Sequence, residues 1–319
     1  MDQKRFTPMT TAGCFAGIML VLSVMSTYVP FFSLVGYFIL PIPMAIIYMR
    51  YGLRWTVMMG IVVGLLMGMF IDPLAALMQF VTFGCVGLAL GTGFRKNWPP
   101  AKMLTGVTAA LGLACVVFLG CMYLFMDFNF WQFMTSQFQL MADAMMEGYR
   151  SAGTMSAVEL AQAQEQVDQM MQMMPSLIPL LFCMALSILS YLNIKIAQVI
   201  LTRLGYSVRP FLPIRYWEIS RSMLYLYVLA VVMKYWGTTR DIYWLNIVGL
   251  NLEELSVFFI SIQGIAFILY LIHRRMKLRT AVQVLIVMML LLVPAFQLAV
   301  FLAGVIDMLL KYRQKRGTV

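Results

Sequence analysis

Apolar runs long enough to cross a bilayer follow one another through most of this chain, and the short gaps between them are basic at every second position. The runs lie at about 11–28, 35–49, 53–70, 74–94, 103–126, 177–202, 222–236, 247–272 and 281–310. A spanning helix needs about 20 apolar residues, and only helices or closed barrels can bring a polar backbone through hydrocarbon. Continuous runs without alternation read as helices. The basic gaps hold Lys4 and Arg5, Arg50 and Arg54, Arg95 to Lys102, Arg203 to Arg221, Arg274 to Arg279, and Lys311 to Arg316. Of the 23 Lys and Arg residues only Arg150, Lys195, Lys234 and Arg240 lie elsewhere. Basic residues collect on the cytoplasmic side, so the pattern predicts an all-α, polytopic transmembrane helical bundle with its N-terminus inside.

Composition removes whole classes of function. Hydrophobic residues make up 62% and charged residues 11% of the chain, against about a quarter charged in soluble domains, so the bilayer itself is the solvent. The net charge of +10 is divided among loops rather than gathered on one face, which argues against a nucleic-acid partner. The five cysteines, Cys14, Cys85, Cys115, Cys121 and Cys183, all sit in apolar runs without a Cys-x-x-Cys pair and read as small hydrophobes. His273 is the single histidine, so His-based metal centres and His-dependent triads are not expected, and neither is a resident cofactor. No nucleophile, base and metal set marks an enzyme. No Gly-x4-Gly-Lys-Ser/Thr loop occurs, so any ATP-driven transport requires separate ATPase subunits. The first run is longer than a signal-peptide core and is read as an uncleaved helix.

Three regions interrupt the plain succession of spans. Pro294 divides the last run, whose 281–310 extent is too long for one span, and a hairpin of two short helices there brings the C-terminus inside. About eight spans plus this hairpin result. Pro41 and Pro43 interrupt the second run, where a kinked helix is the simpler expectation and a broken, cavity-lining one the alternative. Residues 127–175 form the one long polar stretch, acidic and outward-facing by the charge rule. Helical spacing from Phe138 to Tyr149 and from Leu160 to Met174, a capping box at Ser156-x-x-Glu159, Gly153 between the two and Pro175 at the end of the second predict an outer amphipathic helical hairpin.

Small residues at four-residue spacing mark packing faces: Ala12 with Ala16, Gly13 with Gly17, and Gly60 with Gly64 and Gly68. Each stripe packs within the bundle or, if left open, docks a partner. The outer-loop methionines have the softness Cu(I) favours, but a stripe at helical spacing packs more often than it ligates. Lys195 is the ionisable residue nearest a span centre, within snorkelling reach of the cytoplasmic interface, and no buried carboxylate relay is expected. Asp72 and Pro73 read as an N-cap followed by the first helical residue, and Asp307 as a partner of Lys311.

The first 205 residues resemble the substrate-binding S components of energy-coupling-factor transporters. The likeness is carried by Ala12-x3-Ala16, by Leu40-Pro41-Ile42-Pro43 leading to Arg50-Tyr51-Gly52, by the Gly60, Gly64, Gly68 ladder and by Phe83-Gly84-x2-Gly87-Leu88 before Arg95. Over its whole length, with Gly304-x2-Asp307 and Arg313 near the end, the chain resembles the YybS-type family of bacterial membrane proteins of unassigned activity. The resemblance implies a six-helix unit over 1–205, extended by C-terminal helices over 206–319. It further implies a bacterial inner-membrane location, a small-molecule ligand and a transmembrane coupling subunit with ATPases. Ala12 and Ala16 would face that subunit. The ligand would sit near the outer surface, around Tyr28, Phe31, Phe32, Asp72, Gln79, Asn129 and Trp131, which depth and polarity single out. The chain departs from S components in its C-terminal extension and its long outer loop. A non-transport scaffold or assembly factor acting through helix contacts is the competing expectation.

Overall fold

A computed structural model describes residues 7–70, 73–153, 155–209, 213–276, 280–310 and 313, without the side chains at 34, 75, 275–276, 280–281 and 284. Among these residues there is no strand. The helices are α1 (Pro8–Tyr28), α2 (Pro30–Ile39), α3 (Pro41–Tyr51), α4 (Leu53–Phe70), α5 (Pro73–Arg95), α6 (Pro100–Met126), α7 (Phe130–Ala152), α8 (Ala157–Arg203), α9 (Ser222–Thr239), α10 (Tyr243–Met276), α11 (Thr280–Leu292) and α12 (Pro294–Leu310). A 3-10 turn, Ile214–Tyr216, precedes α9. Half of these helices begin with proline: α1, α2, α3, α5, α6 and α12. Its fixed φ suits the first helical position, where its missing amide has no intrahelical acceptor to lose.

Among the described residues seven helices are long and apolar enough to span, with α2 and α3 counted together as Pro30–Tyr51. The pair Leu285–Leu292 and Pro294–Leu310, bent by 106°, makes an eighth. The break falls at Pro294, as the sequence predicts. The 222–236 run does not reach the standard of a span: α9 is 18 residues long and ends in the polar stretch Lys234 to Thr239.

The chain forms two compact units, residues 1–143 with 181–211, and residues 144–180 with 212–319. Within the first, α1 packs on α4 and α3 on α5. The core joins Ala12, Ala16 and Met19 to Met44, Ile47, Met59, Val63 and Met67. The prolines kink the second span without breaking it: Leu40 keeps helical angles (φ −58°, ψ −34°) and its amide donates to Gly36 O at 2.9 Å. The glycines of α5 allow the close approach of α3. A Cβ on Gly87 would lie 2.8 Å from Pro41 O, and one on Gly91 would lie 3.1 Å from Ala45 O. The ladder on α4 takes the Phe80 ring, whose edge would be 2.7 Å from a Cβ on Gly60.

In the second unit α10 packs against both α9 and α12. Each contact brings backbones together at glycine. A Cβ on Gly249 would lie 2.6 Å from Lys234 N, one on Gly264 1.9 Å from Val300 O, and one on Gly304 2.1 Å from Ile260 O. The sequence reading singled out Lys195 among the ionisable residues of the spans, and α10 adds two carboxylates to it. Glu253 and Glu254 lie within α10, and Glu253 accepts from Lys234 Nζ on α9 at 2.6 Å. A long apolar run hides two adjacent charges in its average, and the partner cation stands on a different helix.

In the polar stretch 127–175 one local signal holds and another fails. Ser156 and Glu159 do form the capping box: Ser156 N–H donates to Glu159 Oε2 at 2.7 Å and Glu159 N–H to Ser156 Oγ at 3.4 Å. Gly153 takes the left-handed φ of +63° between the helices. Pro175, however, ends nothing, because α8 continues through Pro175 and Pro179 for 47 residues. At 1.5 Å per residue that is about 70 Å, more than twice the hydrocarbon thickness, so the helix is longer than one crossing needs. The Ser176 hydroxyl donates to Met173 O at 2.6 Å, next to Pro175.

Candidate functional site

In the first unit, the far end of α1 gathers polar groups from three helices. Gln79 on α5 donates from Nε2 to Thr27 Oγ1 at 3.1 Å, and Tyr28 donates its hydroxyl to Phe70 O, the last residue of α4, at 3.1 Å. Gln79 Oε1 is buried and, among the described residues, has no hydrogen-bond partner. Tyr28 and Gln79 therefore share one end of the bundle. Phe31 is 74% exposed and its ring meets Phe32 edge-on at 6.3 Å. Asn129 serves as a helix cap: its Oδ1 accepts from Gln132 N–H at 3.1 Å at the start of α7. Trp131 is half exposed and stacks edge-on with Phe130. Asp72 lies outside the described residues.

The small-residue stripes divide between covered and open faces. Ala12 and Ala16 are 7% and 5% exposed and belong to the core of the first unit. Gly13 and Gly17 lie one residue on, a turn of about 100° away, and a Cβ on either would meet nothing within 4 Å. Gly60 and Gly64 face Phe80, and Gly68 approaches Pro73.

The second unit holds a cavity of about 440 Å³ whose walls include Glu218, Ser220, Arg221, Gln263, Asp307 and Arg313. Its floor is a buried ion pair. Arg313 Nη2 and Nε reach Asp307 Oδ2 at 2.7 and 2.9 Å, with the two side chains 2% and 3% exposed. Arg313 Nη1 also donates to Arg215 O at 3.0 Å, anchoring the 3-10 turn. Gln263 on α10 links the parts by donating to Asp307 Oδ2 at 2.6 Å and accepting from Ile219 N–H at 2.8 Å. All three donors to Asp307 converge on Oδ2, whereas Oδ1 is buried without a partner among the described residues. The expected partner of Asp307, Lys311, lies outside those residues; the cation in place is Arg313, two residues further on. The i, i+4 rule selected Lys311, but the chain leaves the helix after α12 and places the side chain at i+6 instead.

Sequence spacing missed Gln263 and Gly264. Each is an isolated polar residue or glycine in an apolar run, and the signal available was that such residues need a reason to be there. Among the described residues no group of three His, Cys, Asp or Glu is placed to hold a metal.

Comparison with known proteins agrees with this description of a multi-span helical protein. A Bacillus subtilis protein described as uncharacterized protein YybS is 25% identical over 298 residues, covering 92% of this chain and 94% of that protein. No solved structure matches. Residues 17–308 match the family described as predicted membrane protein DUF2232, and with nearly the whole chain covered, this integral membrane protein belongs to that family.

Proposed function

We propose that this protein is the small-molecule-binding component of a bacterial inner-membrane uptake system, non-enzymatic itself and energised by separate ATPase subunits through a transmembrane coupling partner. The observation that carries the reading is the convergence at the outer end of the first unit. Thr27, Tyr28 and Gln79 meet there, and the buried Gln79 Oε1 has no donor among the described residues. A buried carbonyl left unmatched is costly, and a ligand bearing an N–H or O–H offsets that cost. Phe31, largely exposed, and Trp131, half exposed, are the aromatic residues the sequence reading assigns to the same ligand. The basic gaps place both chain ends on the cytoplasmic side and this site outside. Residues 1–205 act as the binding unit and the C-terminal helices as its extension.

The scaffold reading is favoured by a different observation, the open Gly13–Gly17 face of α1, which has no atom within 4 Å of either added Cβ and suits a closely packed membrane partner. Purification in mild detergent with mass spectrometry of co-purifying proteins and extractable small molecules separates the two. A coupling subunit with ATPases and a small molecule lost on Gln79→Leu supports uptake. Envelope-assembly proteins without ATPases or ligand, retained in Gln79→Leu and lost in Gly13→Leu, support the scaffold and refute uptake.

A further inference from the structure

In the second unit α10 carries two adjacent carboxylates, and α9 has a single cation to answer them. Lys234 Nζ donates to Glu253 Oε2 at 2.6 Å, and the Glu253 side chain is 18% exposed. Glu254 is half-buried and makes no hydrogen bond or ion pair among the described residues. Adjacent helical residues point about 100° apart, so Glu254 cannot take the same place against α9. The other elements packed on α10 bring it no cation. α11 has no charged residue, α12 has Asp307 alone, and Arg215 and Arg313 belong to the cluster around Asp307 and Gln263. Gln263 is nine residues further along α10 than Glu254, about 14 Å away along the helix.

Depth decides what a carboxyl without a donor meets. Tyr235, Trp236, Tyr243 and Trp244 surround the turn between α9 and α10 and are each more than half exposed, as in the aromatic belt of a membrane interface. Glu254 lies ten residues beyond Trp244, about 15 Å, or half of the ~30 Å hydrocarbon thickness. A full thickness from Trp244 reaches the level of Gln263, which accepts from Ile219 N–H beside the basic gap that ends at Arg221. Belt and basic gap thus bound one crossing with Glu254 at its middle, inside the apolar helix Tyr243–Arg274. An ionised carboxylate at that depth needs a cation or donors, and the one cation is bonded to Glu253.

We propose that the Glu254 carboxyl is a proton-binding site at the middle of the membrane, neutralised by a proton that exchanges with water, while Glu253 stays ionised against Lys234. The site is independent of the ligand site of the first unit. It equips the second unit for a proton-linked step, a class of activity separate from ATP-driven uptake.

Dicyclohexylcarbodiimide, an apolar reagent, takes the protonated acid. The carboxyl proton passes to a carbodiimide nitrogen, a carboxylate oxygen adds to the central carbon, and the acyl group then shifts to nitrogen as a stable N-acylurea with nothing released. The full chain in lipid nanodiscs is treated with this reagent over a pH series, digested and read by mass spectrometry. At neutral pH the adduct is expected at Glu254, about tenfold or more above Glu253, and it falls as rising pH removes the proton. A water-soluble, cationic carbodiimide is expected to label Glu147 on the exposed face of α7 and to leave Glu254 unmodified. Glu253→Gln frees Lys234 for Glu254 and lowers the Glu254 adduct several-fold. Lys234→Met leaves Glu253 without its cation and brings the adduct to Glu253 as well. No adduct at Glu254, equal adducts at the two glutamates of the wild type, labelling unaffected by pH, or labelling of Glu254 by the water-soluble reagent overturns the proposal. These four outcomes are read on the wild type, so they stand even if a variant fails to fold.

Discussion

Replacing Gly264 with alanine tests how α10 and α12 are held together. The added Cβ would lie 1.9 Å from Val300 O and 2.9 Å from the Val300 carbonyl carbon. Carbon and oxygen in contact ordinarily sit at about 3.3–3.6 Å, a shortfall of about 1.4 Å or more. The obstacle is backbone, so no rotamer change relieves it and the helices must separate. Overpacking of this kind costs about 1–3 kcal/mol. Separation also draws Gln263 from Asp307, now 2.6 Å away, and weakens a hydrogen bond to a charged group, worth about 1.5–3 kcal/mol. A total near 3–5 kcal/mol at ~2–4 °C each lowers the apparent melting temperature by on the order of 10 °C, read by size-exclusion chromatography after heating in detergent. Gly304→Ala, whose Cβ would meet Ile260 O at 2.1 Å, behaves alike. The double variant falls well short of additive, since one separation accommodates both methyl groups. Gly120→Ala, with nothing within 4 Å, is neutral or slightly stabilising. A Gly264→Ala protein that melts within a degree of wild type, or strict additivity of the pair, refutes the packing argument.

Asp307→Asn leaves the Arg313 charge buried without its carboxylate and is expected to cost about 3–5 kcal/mol, whereas Asp307→Leu with Arg313→Met recovers most of that loss; equal damage by both, in the same melting assay, contradicts the ion-pair account. Gly87→Ala, with Pro41 O at 2.8 Å from its Cβ, destabilises by about 1–3 kcal/mol, while Gly13→Leu leaves the melting temperature of the isolated chain unchanged. Bonding to the Ser156 amide and hydroxyl holds the Glu159 carboxyl below its ordinary range. The capping contribution is therefore present above the ordinary carboxyl range and lost as pH falls through the lowered value, and the protection of amides at the start of α8, taken relative to the intrinsic exchange rate at each pH, should fall on acidification in wild type but much less in Glu159→Gln. A cysteine at Ser151 should react with an impermeant label from outside and one at Gly317 should not; labelling at Gly317 removes the assignment of the C-terminus to the cytoplasm.

The helical, multi-span character of this protein was written in its sequence because a bilayer leaves the backbone few solutions: an apolar run of sufficient length must be a helix, and Pro294 near the middle of an over-long run favours a break there. Local signals carried over equally well. The Ser156–Glu159 box caps α8, and proline opens six helices, because the groups concerned lie within one turn of each other. What local rules could not decide was which partner a residue meets across the fold. Pro175 reads as a stop, yet α8 passes through it. Asp307 reads as a partner of Lys311, yet Arg313 is folded back onto it. Gly264 and Gly304 stand 40 positions apart with nothing in the sequence to pair them, but their backbones touch. Of two stripes one residue apart on α1, Ala12 and Ala16 are covered and Gly13 and Gly17 are open. Spacing says that residues share a helix face; only packing between helices says what that face meets, because in a bilayer lipid covers an apolar surface as well as protein does, and the hydrophobic pattern that orients helices in water is absent.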